Sequence, residues 1–255
     1  MKIAVLSDVH ANPAALETVL KDAREQGCER FICLGDIVGY GYDPNSCIEM
    51  CRANGIECIL GNHDAGMVGK LSLQWFNENA ARGVLRHRNE VSEEDKEWIR
   101  GLPYSRKEDF GVWRTCFAHG SFTSPEEFDY INSYMDAARE LAFMKMRNCD
   151  ILFVGHTHYA EAWAQDMDER ISSYDTYNAP DLSINLNNYA QIIINVGSVG
   201  YPRNQDATYY VIFDTDEQMV HYRKLPFDFD EYLSKMESAN ISIPRWLEPK
   251  KGKTR

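Results

Sequence analysis

Three short apolar runs alternate with two amphipathic helical patterns at the start of the chain, and this alternation restricts the fold more than any other feature. The runs predict buried strands at residues 2–7, 30–34 and 56–60, and the patterns predict helices at residues 13–26 and 44–54. Asn12 can cap the first helix, with Pro13 in its first turn. This β-α-β-α-β order implies parallel strands with right-handed crossovers, so we expect an α/β fold.

The rest of the chain contains enough apolar runs for a second sheet. Further strands are expected at residues 114–118, 151–154, 191–196, 208–214 and 219–224, with an amphipathic helix at residues 133–147. Residues 71–102 read as two helical pieces, within a helical flank or cap at about residues 66–102. Two packed sheets flanked by helices would accommodate this number of strands.

Two segments depart from regular patterns. Residues 159–190 are polar and tyrosine-rich without a clear period, which predicts a long loop insertion that covers the functional site. The basic residues 249–255 are expected to be a solvated tail. We therefore expect a single domain over residues 1–248.

The charge of the chain restricts its ligands. Its 255 residues carry a formal net charge of −12, whereas affinity for nucleic acid depends on Lys and Arg replacing counterions. No large nucleic-acid partner is therefore expected. A small phosphorylated substrate is still compatible with this charge, because bound divalent cations can be the largest local charges in a site.

Cysteine content and hydropathy indicate the compartment. Seven cysteines are an odd number in a chain too long to need disulfide staples, so we expect reduced core thiols and a cytoplasmic protein. No apolar run approaches the roughly 20 residues of a membrane span, so no membrane association is expected. The sequence leaves the oligomeric state open.

In five places a predicted strand runs out into residues that are good ligands for hard or borderline metal ions. These residues are Asp8 and His10, Asp36, Asn62 and His63, His119, and His156 and His158. Ligands collect in the crevice beyond the carboxyl ends of strands in α/β sheets, so the five loops can converge in space. Each segment alone is also typical of ordinary turns, but the five together indicate a metal site. His87 and His221 lack such neighbours and are expected to be surface or partly buried histidines.

The residue types favour phosphoryl chemistry. Carboxylates supply charge and can bridge ions, and neutral imidazole suits zinc and iron. The near absence of thiolates among these ligand residues disfavours a structural zinc site. Two ions about 3.5–4 Å apart can clamp the attacking and leaving oxygens of a displacement at phosphorus. We therefore expect two divalent ions as cofactors, with their identity open among Mn, Fe, Zn, Co, Ni and Mg.

The ordered motifs closely resemble those of the calcineurin-like metallophosphoesterase family: Asp8-Val9-His10, Gly35-Asp36, Gly61-Asn62-His63-Asp64, His119-Gly120 and Gly155-His156-Thr157-His158. Two further stretches look like its bacterial and archaeal predicted-phosphoesterase branch, namely residues 39–45 and Asn195-Val196-Gly197-Ser198-Val199-Gly200. The resemblance runs from Met1 to about Lys224. It implies a four-layer α/β/β/α sandwich of two mixed sheets, in agreement with the strand pattern.

The resemblance also implies a role for each ligand residue. The first ion would be held by Asp8, His10 and His158, and the second by Asn62, His119 and His156. Asp36 would bridge the two ions. His63 matches the family's histidine that contacts phosphate and protonates the leaving group, and Asn62 would also touch phosphate.

Departures from the family pattern bear on the substrate. Asp36 is followed by Ile37-Val38-Gly39-Tyr40 rather than by Asp-Arg-Gly, which argues against a eukaryote-type protein phosphatase or a symmetrical dinucleoside tetraphosphatase. Val196 and Tyr201 stand where relatives usually have Pro and Gln, while Arg203 is kept. Tyr201 could stack on a base or only pack, and Arg203 could bind a phosphate or form a surface ion pair.

The favoured function is hydrolysis of a phosphodiester, because the branch resembled is usually described that way. The substrate would be small and phosphorylated, such as a nucleotide, and the nucleophile would be a hydroxide activated by the two ions. A phosphomonoesterase, including a phosphoprotein phosphatase, is the main alternative, because both reactions use the same ion pair. A binding scaffold without activity would not need this complete ligand set, and a metal-dependent amide hydrolase would not need these ordered motifs.

Overall fold

Two six-stranded mixed sheets pack face to face in the computed structural model, which describes residues 1–176, 182–203 and 207–241. The first sheet consists of three strands from the beginning of the chain and three from after residue 182, whereas the second consists of the other six strands, between residues 105 and 196. In chain order the strands are β1 (Lys2–Leu6), β2 (Arg30–Cys33), β3 (Glu57–Cys58), β4 (Ser105–Phe110), β5 (Trp113–Ala118), β6 (Ile151–Val154), β7 (Ala160–Gln165), β8 (Ile171–Asp175), β9 (Ser183–Asn185), β10 (Gln191–Val196), β11 (Ala207–Asp214) and β12 (Met219–Pro226). The sheet orders are β3-β2-β1-β11-β12-β9 and β4-β5-β6-β10-β7-β8.

Helices cover the outer faces of both sheets. They are α1 (Pro13–Glu25), α2 (Pro44–Ala53), α3 (Asn62–Met67), α4 (Glu78–Glu90), α5 (Glu93–Arg100), α6 (Tyr134–Met146) and α7 (Phe229–Ser238), with short 3-10 helices at Leu73–Trp75 and Leu186–Asn188. The start of α1 is as predicted, because the Asn12 side chain accepts a hydrogen bond from Ala15 N at 3.3 Å and Pro13 opens the helix.

Both sheets mix parallel and antiparallel pairs. In the first sheet β1 lies parallel to β2, with Val5 opposite Ile32, and antiparallel to β11, with Val5 opposite Val211. In the second sheet β10 lies parallel to β6 and antiparallel to β7. The predicted β-α-β-α-β start is confirmed, although its third strand is reduced to the two residues of β3.

Alternate residues of the central strands supply three separate apolar layers. Ile3 and Val5 of β1 point into the layer between the sheets, whereas Ala4 and Leu6 point into the layer beneath α1 and α2. Residues of β10 alternate in the same way between the central layer and a third layer beneath α6. Three apolar layers separate four layers of secondary structure, which confirms the expected α/β/β/α sandwich.

The expectation of a long loop at residues 159–190 is wrong. This segment contains β7 and β8, which extend the second sheet, and β9, which forms an edge of the first. The strand period was hidden because the buried positions of β7 are the small residues Ala160, Ala162 and Ala164, which give a weak hydrophobic signal. Residues 177–181 lie outside the described part of the segment.

Besides β7, β8 and β9, three elements were not predicted from the sequence. These are α3 after β3, the polar strand β4, which forms a hairpin with β5, and α7 after β12. The basic tail, residues 249–255, and the end of the expected domain lie outside the described residues. All seven cysteines are buried and free of disulfides, as predicted. Among the described residues, no helix is long and apolar enough to cross a membrane.

Candidate metal centre

The carboxyl ends of five strands carry the predicted ligands to one place. Asp8 and His10 follow β1, Asp36 follows β2, and the remaining ligands follow β3, β5 and β6. The structure therefore brings together all eight predicted ligand or catalytic side chains, and we call this group the ligand cluster: Asp8, His10, Asp36, Asn62, His63, His119, His156 and His158.

Sharp turns aim these side chains inward. Five members of the ligand cluster have a left-handed backbone conformation. This conformation costs a residue other than glycine about 1–2 kcal/mol. Their φ values are 56° at Asp8, 47° at His10, 54° at Asp36, 66° at His156 and 64° at His158. Backbone hydrogen bonds between the loops hold these turns, such as Asp8 N to Gly35 O at 3.1 Å and His10 N to Asp36 O at 2.9 Å.

The first three ligands meet at their side-chain tips. His158 Nε2 lies 3.1 Å from Asp8 Oδ1 and 3.1 Å from His10 Nε2. The other ring nitrogen of each histidine faces a backbone carbonyl, with His10 Nδ1 3.1 Å from Val38 O and His158 Nδ1 2.7 Å from Tyr201 O. Donation from Nδ1 leaves the Nε2 lone pair directed into the cluster, which is the usual arrangement of a metal-binding histidine.

The second group is built in the same way. His119 Nε2 lies 3.1 Å from Asn62 Oδ1 and 3.3 Å from Asp36 Oδ2, and its Nδ1 lies 2.8 Å from Leu34 O. His156 completes this group with ligand atoms within 4.8 Å of those of Asp36 and His119. Because Asp36 Oδ2 is also 3.7 Å from His10 Nε2, Asp36 lies between the two groups.

His63 lies on the open side of the ligand cluster. Its Nε2 is 4.0 Å from Asp36 Oδ2, and its backbone N donates to Asp36 Oδ1 at 2.8 Å. Its Nδ1 is buried without a hydrogen-bond partner. Burial and the neighbouring histidines lower its pKa well below the usual value, so the ring is neutral.

Electrostatics within the cluster favour a bound cation. Burial alone would raise the pKa of Asp36, but the charge of His119 and its hydrogen bond to the carboxylate hold it below its usual range. Burial opposes a charge on His119 as well, yet Asp36 raises its pKa to about 9. Burial lowers the pKa of His156 to about 3, which leaves a neutral imidazole. Metal ions bind deprotonated ligands, so a cation can replace the proton that Asp36 stabilises on His119.

The donor set fits divalent ions on two further grounds. Asp8 Oδ1 is fully buried without a hydrogen-bond donor aligned to it, and two histidine Nε2 atoms face each other at 3.1 Å. Buried polar atoms of this kind need a partner. Oxygen and imidazole nitrogen donors suit Mn, Fe, Zn, Co, Ni or Mg.

Glycines allow the loops to approach the two carboxylates closely. A Cβ atom at Gly61 would lie 2.2 Å from Asp36 Oδ1, and one at Gly155 would lie 2.5 Å from Asp8 Oδ2. Side chains at either position would displace a carboxylate. The glycines of two of the motifs therefore preserve the position of the ligands.

The stretch Asn195–Gly200 supports the ligand loops from behind. Asn195 Nδ2 donates to Gly155 O at 2.7 Å and to Thr157 Oγ1 at 2.9 Å. Ser198 Oγ donates to Asp8 O at 2.9 Å. The stretch Asn195–Gly200 thus fixes the turn before His156 and the turn after β1.

Asp64 was quoted within a motif, but its supporting role was not recognised from the sequence. Its carboxylate accepts hydrogen bonds from Val38 N and Gly61 N, each at 3.1 Å, and so joins the loops after β2 and β3. Burial and the charge of Asp36 raise the pKa of Asp64 to about 7. The sequence signal for this supporting role was the position of Asp64 directly after Asn62 and His63.

The expectation for His87 is wrong, because its side chain is fully buried. It accepts a hydrogen bond from Gly39 N at 2.9 Å through Nδ1, and its Nε2 lies 3.2 Å from Gly41 O. Its location on α4 gave no sequence signal, because these partners are about 46 residues away in the chain. His221 is partly buried, as predicted, and contacts Ser183 Oγ at 2.9 Å.

Tyr201 and Arg203 lie beside the ligand cluster. The Tyr201 ring is buried and stacks on Tyr40, with ring centroids 4.2 Å apart, and its carbonyl orients His158. Arg203 is exposed, and its positive charge acts on the pKa of both Tyr130 and His158. Binding of substrate by these two residues stays a prediction.

A cleft of 370 Å³ opens from the ligand cluster to the surface. Its floor includes Asn62, His63 and His156, one wall comes from the segment between α3 and α4, and the other comes from the β5–α6 loop, residues 119–133. Among the described residues, none between 160 and 190 lines it, so the segment expected to cover the site does not form its walls. The lining residues are Tyr40, Asn62, His63, Leu71, Trp75, Phe76, Asn77, Ala80, Glu127, Phe128, Asp129, Tyr130 and His156.

The chain is similar to a known protein family and to solved structures over most of its length. Residues 1–218 match the model of the calcineurin-like phosphoesterase superfamily domain. An uncharacterised protein of Methanocaldococcus jannaschii is 31% identical over 247 residues, which is 96% of this chain and 95% of that protein. The crystal structure of a metallophosphoesterase from Sphaerobacter thermophilus is similar with a TM-score of 0.76 at 30% identity, covering 97% of this chain and 96% of the other. A hypothetical protein of Pyrococcus horikoshii, 17% identical, shares the fold with a TM-score of 0.73, covering 96% of this chain and 95% of that one.

Proposed function

The chain belongs to the calcineurin-like phosphoesterase superfamily, and on this premise we propose that it hydrolyses small phosphodiesters at a site that holds two divalent ions. The observation that supports two ions is the sharing of Asp36 by adjoining groups of ligands. One group is Asp8, His10 and His158, and the other is His119, His156 and Asn62. Asp36 Oδ2 lies between them, 3.7 Å from His10 Nε2 and 3.3 Å from His119 Nε2. Ions held in this way would activate water and neutralise charge on the phosphate.

The chain's own residues have distinct parts in this proposal. Asn62 and His63 line the floor of the cleft, where they can donate hydrogen bonds to a phosphate oxygen. His63 is neutral, and an anionic substrate would raise its pKa, so that it could protonate the leaving group. His10 and His158 are held by backbone carbonyls in the orientation that ligation requires.

The cleft favours a phosphodiester as substrate over a phosphoprotein or a polyphosphate. A diester carries a second organic group, which needs space beside the phosphate, and the 370 Å³ cleft adjoins Asn62 and His63. The charged residues lining it are Glu127 and Asp129, both acidic and exposed. These charges would repel additional phosphate groups or acidic flanking residues.

The first test measures hydrolysis and metal content together. Protein stripped of metal is reconstituted with Mn, Zn, Ni or Mg, and the rates with bis-p-nitrophenyl phosphate and p-nitrophenyl phosphate are compared. We expect metal-dependent cleavage, a higher rate with the diester, and about two ions per chain by elemental analysis. A higher rate with the monoester would favour a phosphomonoesterase, and no cleavage with any ion would favour a scaffold.

An aspartate variant tests the shared ligand. Asp36→Asn should bind fewer than two ions per chain and lose at least about 100-fold in kcat/KM, because it removes charge between the two groups. Asp168→Asn, at an exposed position outside the cluster, is the matched control and should behave as the wild type. Wild-type activity in Asp36→Asn would contradict the proposed two-ion site.

A further inference from the structure

The cleft beside the ligand cluster has aromatic side chains on both of its walls. Trp75 and Phe76 belong to the wall between α3 and α4, and Phe128 and Tyr130 belong to the β5–α6 loop. Phe76 lies edge-on to His63 with centroids 5.2 Å apart, so the aromatic lining begins at the floor. Large aromatic surfaces of this kind stabilise planar ligands by stacking.

The rings of Trp75 and Tyr130 are exposed where they line the cleft. Trp75 is 78% exposed and Tyr130 is 48% exposed, although large apolar side chains of a folded protein are mostly buried. One face of the Tyr130 ring stacks on His156, with centroids 3.9 Å apart and planes 17° apart. This contact fixes the ring beside a predicted metal ligand.

The loop that carries Tyr130 is held by a buried carboxylate. Glu140 of α6 is 1% exposed and accepts four hydrogen bonds from Ser121, Phe122 and Thr123, at 2.7–3.0 Å. Ser121 N also donates to Asp129 O at 3.0 Å, which closes the loop. The wall is therefore preorganised, and binding a ligand against it costs little ordering entropy.

The charge of the cleft restricts the group that it can take. Glu127 and Asp129 are its charged lining residues in the described part of the chain. A group that enters it should therefore be uncharged or cationic, with the negative charge of the substrate confined to the phosphate at the ligand cluster.

We propose that the cleft binds an uncharged planar ring system attached to the phosphate, such as a nucleobase, by contact with Trp75 and Tyr130. This inference rests on the proposed phosphoesterase function and names the substrate class of the same site. Phosphoesters of purely aliphatic alcohols would bind without this contribution.

The test compares two phosphates that share the sugar and the charge. Adenosine 5′-phosphate carries the base at C1 of the sugar, where ribose 5-phosphate carries a hydroxyl group. Each is titrated into Mn-reconstituted protein by calorimetry, with phosphate release followed in parallel. We expect the base to strengthen binding about 10-fold, as stacking on aromatic residues does in nucleic-acid sites. Calorimetry does not depend on turnover, so failure of diester hydrolysis would contradict the proposed function and leave this comparison interpretable.

Variants assign the effect to the two rings. Trp75→Ala and Tyr130→Ala should each reduce the ratio of the two dissociation constants to about 3-fold or less. Tyr134→Ala is the matched control, since Tyr134 is 57% exposed but does not line the cleft, and it should keep the wild-type ratio. Equal affinity for the two phosphates in the wild type, or a ratio that survives in both cleft variants, would overturn the proposal.

Discussion

Replacing Glu140 by alanine should destabilise the protein by about 4 kcal/mol, because it leaves hydrogen-bond donors unpaired in the interior. The carboxylate accepts from Ser121 Oγ at 2.7 Å, Phe122 N at 2.8 Å, Thr123 N at 3.0 Å and Thr123 Oγ1 at 2.8 Å. Thr123 is exposed, so water can replace its two bonds. Ser121 is buried and Phe122 is half-buried, and each lost bond to the charged acceptor there costs about 1.5–3 kcal/mol.

Glu140→Gln provides the informative comparison. Glutamine keeps one oxygen as an acceptor and places an amide NH2 where the other oxygen was, facing hydroxyl groups that can themselves accept. We therefore expect it to lose about 1–2 kcal/mol, clearly less than the alanine variant. Both variants keep α6, because Glu, Gln and Ala are all good helix formers.

Urea unfolding in the presence of a chelator measures this difference without a contribution from bound metal. For a chain of this size, about 4 kcal/mol corresponds to a fall of about 8–16 °C in Tm. Loss of the loop should also reduce the preference for adenosine 5′-phosphate over ribose 5-phosphate, since Tyr130 loses its support. An alanine variant within about 1 kcal/mol of the wild type would refute the assignment of Glu140 as the anchor of this loop.

Three further substitutions test the site and its support. His63→Ala should keep wild-type metal content but lower kcat for bis-p-nitrophenyl phosphate by at least about 100-fold, and loss of metal in this variant would contradict its role outside the ligand set. Gly39→Ala should lower kcat about 10-fold through His63, because its φ is +92° and a Cβ would lie 2.1 Å from His63 Nδ1; an unchanged rate would show that the ring is not constrained there. His87→Gln should weaken the acid sensitivity of folding: burial lowers the pKa of His87 from 6.5 to about 3, so the unfolded chain alone gains this proton as the pH falls through that range. This group should lower the stability of the wild type by up to about 1.4 kcal/mol per pH unit. A His87→Gln variant whose urea midpoint falls between pH 6.5 and 4.5 by as much as that of the wild type would contradict this prediction.

Local residue patterns determined the fold class and the ligand residues. The apolar runs before Asp8, Asp36 and His156 have the length of buried strands, and a polar ligand at the end of a strand is a feature of a few neighbouring residues. Parallel strands place such ends at one edge of a sheet. The ligands after β1, β2 and β3 belong to the first sheet and those after β5 and β6 to the second, so the packing of the two sheets completes the site. This explains why the predicted ligands were found together.

Tertiary structure decided the features that depend on partners far away in the chain. β7 carries a strand period only in small alanines, and its place was set by pairing with β10, where Ile194 faces Ala162. His87 is buried because its acceptor and donor groups lie in the loop after β2.

The walls of the cleft also depend on the tertiary structure. Tyr130 and Trp75 are about 55 residues apart in the sequence, and neither sits in a motif. Glu140 supports the wall from a helix whose own pattern predicts an ordinary buried face. The chemistry of the site could be predicted from the sequence because it depends on which residues follow the strands. The shape of the cleft comes from long-range packing, which local periodicity does not encode.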